Sequence, residues 1–187
     1  MKKDIHREFQ TPPEVCAYMA SLVPAYCEWV LEPTPGDGNL VDALVDKGFN
    51  VVAPSDYFMF DRQKCFDAIA MNPPFSASSA ILDNAPLNFK DAGMRFGYQL
   101  LNECMQRSDH VVALMPWFTL TDSDRRMNHI KKYGLVSLTA LPRKTFEYAR
   151  IQTVVMKLQR GYKGETEFKV FKYAKDILKE NQHTLNL

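Results

Sequence analysis

The segment CEWVLEPTPGDGNLVDALVDKG, Cys27 to Gly48, passes through three kinds of patterning in immediate succession. A short apolar run at 27–32 ends in the carboxylate Glu32. The punctuation PTPGDGN follows, and LVDALVDKG then returns its apolar positions at helical spacing. The unit reads strand, tight turn, helix, and it sets the frame for the rest of the chain.

Working outward, PEVCAYMASL at 13–22 places Val15, Tyr18, Met19 and Leu22 on one helical face, with Thr11 as N-cap and prolines in the first turn. Downstream, NVVA (50–53) and CFDAIAM (65–71) read as strands, the latter halted by NPPF. The stretch between Phe75 and Gly93 is small, polar and weakly periodic, and reads as a functional loop, a mobile lid over the strand ends. MRFGYQLLNECMQRS (94–108) is helical, HVVALMPWF (110–118) is a buried strand, SDRRMNHIKKYG (123–134) is a capped helix and LVSLTAL (135–141) a further strand. IQTVVMKLQ (151–159) and TEFKVFKY (166–173), joined through GYKGE, read as an antiparallel terminal pair. The alternation implies an α/β fold: a mostly parallel sheet with an antiparallel C-terminal edge strand and helices on both faces, one domain over 1–187. Ligands of such sheets bind beyond the carboxyl ends of the strands, so Glu32, Asp56 and Asn72, each just after a strand, are expected in one crevice.

The chain has 187 residues, 46% hydrophobic and 24% charged, which suits a packed domain and excludes disordered and fibrous classes. No apolar run approaches the ~18 residues a bilayer requires, and MKKDIHREFQTPPEV lacks a signal-peptide core, so a cytoplasmic protein without membrane partners is expected. Cys16, Cys27, Cys65 and Cys104 are widely spaced, with no CxxC and no His at ligand spacing; a metal site is not expected. Net charge is +1, yet ten of the 23 basic side chains and only five of the 22 acidic ones lie from Ala140 onward. One end of the chain could therefore face phosphates.

Three local patterns carry chemistry. In EPTPGDG (32–38) a strand-end acid precedes a Gly-x-Gly turn, whose glycines allow a ligand close to the main chain beside free amides of a helix start. A Lys-Ser/Thr phosphate signature is absent, which disfavours a nucleoside triphosphate. Asp56 can accept from both hydroxyls of a ribose, with Asp61 a competing candidate. In NPPF (72–75) two prolines fix φ and remove two amide donors, so the Asn72 side-chain oxygen and the Pro73 carbonyl are rigid acceptors. A planar NH2 group offers two matching donors, with Phe75 able to lie on the adjacent π-system.

Taken in order, TPPEVCAYM (11–19), EPTPGDG, NPPF, LMPWF (114–118) and LPRKTFEYARIQTVVM (141–156) resemble the motifs of S-adenosylmethionine-dependent DNA adenine N6-methyltransferases of the gamma class. The resemblance implies the Rossmann-like class I methyltransferase fold and S-adenosylmethionine as cofactor. It implies that Thr11, Thr34 and the Gly36/Gly38 turn hold the methionine portion while Glu32 orients it, that Asp56 takes the ribose, and that Phe60 or Asp61 borders the cofactor's adenine. Asn72 would stand in the cofactor site as well as in the catalytic set Asn72, Pro73, Pro74 and Phe75. On the substrate side it implies a second stacking aromatic, Phe146 or its rival Tyr148, with Arg143, Lys144 and Arg150 at flanking phosphates. The implied reaction is direct methyl transfer to the amino nitrogen of an adenine that has left the base stack.

The pattern departs from the family in two respects: the region between Asn50 and Cys65, around the third strand, is compressed, and no target-recognition domain is expected after the last core strand. A specificity subunit, a homo-oligomer, low specificity, or a single-stranded or RNA substrate would each accommodate this, DNA being favoured over RNA. Glutamine methylation on a protein, and a non-catalytic subunit of the same fold, are the alternatives.

Overall fold

A computed structural model describes residues 10–61, 63–146, 151–172, 175–177 and 179. Thirteen elements carry the fold: α1 (Pro13–Leu22), β1 (Trp29–Leu31), α2 (Asn39–Asp46), β2 (Asn50–Val52), β3 (Ala68–Met71), α3 (Leu87–Lys90), α4 (Phe96–Arg107), β4 (His110–Pro116), α5 (Phe118–Thr121), α6 (Asp124–Tyr133), β5 (Leu135–Ala140), β6 (Thr153–Gln159) and β7 (Glu167–Val170). The strands form one seven-stranded sheet in the order β2-β1-β3-β4-β6-β5-β7.

Strand alternation splits the core into two layers. On β3 and β4, Ile69, Met71, Val111, Ala113 and Met115 face α4 and α6, where Leu101, Cys104, Met105 and Ile130 meet them. Ala68, Ala70, Val112 and Leu114 face the other way, onto Val15, Met19, Leu40 and Leu44 of α1 and α2. Strands buried on both sides read as continuous apolar runs, as MNPPF's preceding strand and HVVALMP do.

The expected sheet class is present, but its C-terminal side is built differently from the expected hairpin. β6 inserts between β4 and β5, antiparallel to both, while β7 passes beyond it and pairs parallel with β5, Leu138 opposite Phe168. GYKGE is therefore a crossover rather than a tight turn. Thr11 is not the N-cap of α1; Pro12 occupies that position and makes no side-chain cap. The 75–93 stretch carries the 3-10 turn Ala77–Ser79 and α3, and it buries Ala77, Ala85, Phe89 and Ala92 in the core. Ser123 caps α6 by accepting from the Arg126 N–H, and Gly134 follows its end with φ +137°, as the sequence indicates.

From β1 the chain moves outward to β2, then returns to the other side of β1 as β3. That reversal opens a crevice at the carboxyl ends of β1 and β3.

Candidate functional site

A cleft of about 840 Å³ occupies this crevice. Its walls include Thr11, Glu32, Thr34, Gly36, Asp56, Asn72, Pro73, Pro74, Phe75 and Phe146. Glu32, Asp56 and Asn72 thus line one crevice, because each ends a strand on the same side of the sheet.

Glu32 is the pivotal group. Its carboxyl is buried at the tip of β1. Oε1 accepts from the backbone N–H and the hydroxyl of Thr34, at 3.1 and 3.2 Å. Oε2 has no hydrogen-bond partner among the described residues. Burial pushes the Glu32 pKa up to about 8, against the opposing pull of the two Thr34 hydrogen bonds. A buried acceptor left without a donor costs about 1–3 kcal/mol, so a group that supplies one here is favoured by about that much.

Beside it, the Asn72 side-chain NH2 donates to Thr11 Oγ1 at 2.8 Å, and the Thr34 hydroxyl reaches the Asn72 carbonyl at 3.3 Å. Thr11 therefore serves the β3 tip rather than capping its own helix, and it fixes which way the Asn72 amide faces. The two prolines are held from behind by α4. A Cβ on Gly97 would stand 3.2 Å from the Pro74 carbonyl oxygen and 3.5 Å from Pro73 Cγ. With no Cβ, Gly97 lets the helix approach this turn closely, where any side chain would press on the Pro74 carbonyl.

The Gly-rich turn adopts the conformations its glycines permit, φ +53° at Gly36 and +95° at Gly38. Gly36 faces the cleft, and Gly38 forms the N-cap of α2 just outside the lining. Gln10 was not foreseen here: its Oε1 accepts from the Asp37 N–H at 3.1 Å, and a Cβ on Gly36 would collide with its side chain at 2.8 Å. Asp56 accepts from the Phe58 N–H through Oδ1 and from Asn84 Nδ2 through Oδ2, both at 2.8 Å. Each oxygen keeps further acceptor capacity. Phe58 turns into the cleft and packs edge-on against Phe89 and Phe96.

Phe60 and Asp61 are not brought to the cleft. Phe60 packs on Phe66 and under the Arg107 guanidinium, while the Asp61 carbonyl accepts from Arg107 and its carboxylate closes a local turn onto Gln63. The apolar side chains that do line the cleft include Phe58, Ile81, Phe96 and Leu100. Arg143 and Lys144 are exposed and outside the lining, close in sequence to Phe146, which is buried at the cleft wall. Tyr148 and Arg150 lie outside the described residues. Cys16, which donates to the Thr11 carbonyl, is a buried thiol pushed up to about 12 by its burial, which favours its protonated form at neutral pH. Among the described residues no group of three or more His, Cys, Asp or Glu could hold a metal ion, and no helix is long and apolar enough to cross a membrane.

The fold is similar to that of class I S-adenosylmethionine-dependent methyltransferases of known structure. A protein of Listeria monocytogenes assigned to that class superposes with a TM-score of 0.65 at 14% identity, over 98% of this chain and 73% of its own. A type I restriction-modification methyltransferase subunit from Streptococcus thermophilus gives 0.59 at 16% identity, over 95% of this chain and 53% of its own. The M protein of the type I restriction enzyme EcoKI gives 0.60 at 13%, over 86% and 45%. The chain thus spans about half the length of these modification subunits. No family model matches the sequence, and no curated protein matches it.

Proposed function

We propose that this protein transfers a methyl group from S-adenosylmethionine to the exocyclic amino group of adenine in DNA, as a gamma-class-like enzyme carrying NPPF. One observation carries the reading: the Asn72 amide, oriented by Thr11, shares a cleft with the buried carboxyl of Glu32, whose Oε2 has no donor among the described residues.

The residues present suit the cofactor. Glu32 Oε2 is an acceptor for its ammonium, the Gly36 main chain lies at the cleft wall, and Asp56 retains acceptor capacity for two ribose hydroxyls. Thr11, Thr34 and Asn72 complete the polar lining, and Phe58, Ile81, Phe96 and Leu100 offer an apolar wall for a flat ring. When bound, the cofactor supplies a methyl group on a positively charged sulfur.

The remaining work falls to the chain. The Asn72 side-chain oxygen and the Pro73 carbonyl accept the two N–H bonds of the adenine amine, drawing its lone pair away from the ring and toward the incoming methyl. This is chiefly an orientation effect. The Phe75 ring faces the positive charge that develops on that nitrogen, worth about 0.5–2 kcal/mol. Phe146 stacks on the base from the other wall, with Tyr148 its alternative. After transfer the surplus proton passes to water. Arg143, Lys144 and Arg150 hold flanking phosphates. A duplex must release its adenine into the cleft at a cost of a few kcal/mol. The likeness to restriction-modification subunits favours DNA over RNA.

Incubation with methyl-labelled cofactor and separate DNA, RNA and protein pools, followed by nucleoside and amino-acid analysis, tests this. Label in N6-methyldeoxyadenosine that disappears with Asn72→Ala is expected. Label on glutamine or in RNA would replace the substrate, and undiminished label in the variant would refute the role given to Asn72.

A further inference from the structure

β7 ends the sheet, paired on one side with β5 and on its other side with no strand among the described residues. Sheet edges of this kind usually carry short strands, prolines or isolated charges that discourage pairing. β7 has two of these features, being four residues long and carrying Glu167 and Lys169, yet it exposes Phe168 and Val170, 57% and 63% accessible, on one face. Trp117 extends that strip, its ring centroid 6.2 Å from that of Phe168, and Leu138 lies opposite Phe168 on β5. The other face of β7 carries Glu167 and Lys169, within 3.5 Å of each other.

The backbone of β7 is set for a further strand. The Phe171 N–H donates inward to the Ala140 carbonyl, so by alternation Lys169 also turns its polar groups toward β5. Phe168 and Val170 turn their N–H and C=O groups outward. An antiparallel partner must pair residues of like parity, which leaves four registers, each centred on one residue of β7, for two copies of the same strand. Centring on Lys169 or on Glu167 sets that charge against its own copy, and centring on Val170 sets Lys169 against Phe171 and Phe168 against Lys172, with no opposite charges paired. Centring on Phe168 sets Glu167 against Lys169 of the second copy, Lys169 against its Glu167, and Val170 against its Thr166. Only this register sets both charges of β7 against their opposites, and it places the two Phe168 residues in a hydrogen-bonded pair.

We propose that two copies of this chain associate through β7, antiparallel about a two-fold axis at Phe168, joining their sheets into one. The contact is isologous, with one patch serving both copies. It lies apart from the cleft and does not depend on which substrate is methylated. Because the two sheets run in opposite directions, the two clefts open on opposite edges of the joined sheet and work independently.

Sedimentation analysis of the full chain across a concentration series tests this. The wild type is expected to dimerise. Lys169→Glu or Glu167→Lys alone places like charges opposite each other twice per dimer, and each should raise the dimer dissociation constant by about tenfold or more. The two single variants mixed in equal amounts should recover a dimer, since each then faces its opposite, and so should the double exchange Glu167→Lys with Lys169→Glu. Unchanged circular-dichroism melting shows that the variants are folded. A wild type that stays monomeric throughout, single variants that dimerise like the wild type, or a mixture that fails to recover would each overturn the proposal.

Discussion

With its carboxyl buried and its pKa near 8, Glu32 pulls stability and the proposed chemistry in opposite directions. At pH values between the ordinary carboxylate range and about 8 the unfolded chain gives up this proton while the folded chain keeps it. Stability from this group therefore falls as pH rises through that window and levels off above it. Glu32→Gln removes the fall. The variant should melt close to the wild type near pH 5 and above it at about pH 9, yet bind S-adenosylmethionine at least tenfold more weakly, about the worth of one charge-assisted hydrogen bond. In the wild type, cofactor affinity should strengthen as pH rises toward 8 and the carboxylate forms; a calorimetric affinity flat across that range would remove Glu32 from the cofactor's ammonium. A second test sits at Thr11, whose hydroxyl holds the Asn72 amide at 2.8 Å. Thr11→Val should lower the transfer rate roughly tenfold, while Thr11→Ser restores it. Both residues were legible in the sequence, because Glu32 and Asn72 sit beside their own punctuation, EPTPGDG and NPPF. Gln10 over Gly36 and Asn84 on Asp56 were not: each depends on a contact between segments 26 or more residues apart, which local pattern does not encode.

At the level of elements, hydrophobic periodicity showed which residues face inward but not which strand lies alongside which. The alternation of strands and helices, the α6 cap and Gly134 followed from local signals, while the insertion of β6 between β4 and β5 did not, since Val154, Val155 and Met156 would read the same beside either neighbour. The helix α4 gives a similar lesson. FGYQLLNECMQR reads as a helix with a glycine that weakens it, and only the fold shows that the glycine admits the Pro73-Pro74 turn. Gly97→Ala would gain roughly 0.5–1 kcal/mol of helix propensity. Its Cβ would also press at 3.2 Å on a carbonyl oxygen that two prolines hold still, so net stability should scarcely change while methyl transfer falls. Gly97→Val adds bulk that the turn cannot accommodate and should cost about 1–3 kcal/mol in thermal denaturation together with most of the transfer activity. Full activity in the valine variant would show that the NPPF turn is not held by α4.

For the whole molecule, a net charge of +1 gives little general attraction for a polyanion, so any affinity for nucleic acid must come from a few placed cations. Arg143 and Lys144 are exposed in the loop that leads from β5 to Phe146, itself part of the cleft wall. If they meet phosphates beside the extruded base, binding should weaken with added salt, each phosphate contact contributing a slope of about −0.9 in log K against log salt on duplex DNA and about −0.7 on a single strand. Arg143→Ala with Lys144→Ala should therefore flatten that slope by roughly 1.5–2 without altering cofactor affinity, since neither residue lines the cleft. The same titration on single-stranded and duplex oligonucleotides weighs the cost of extruding an adenine, which an unpaired strand largely escapes. Anisotropy measured across a salt series reads both quantities at once. A slope unchanged by the double substitution would move the phosphate path away from this loop and onto other faces of the molecule.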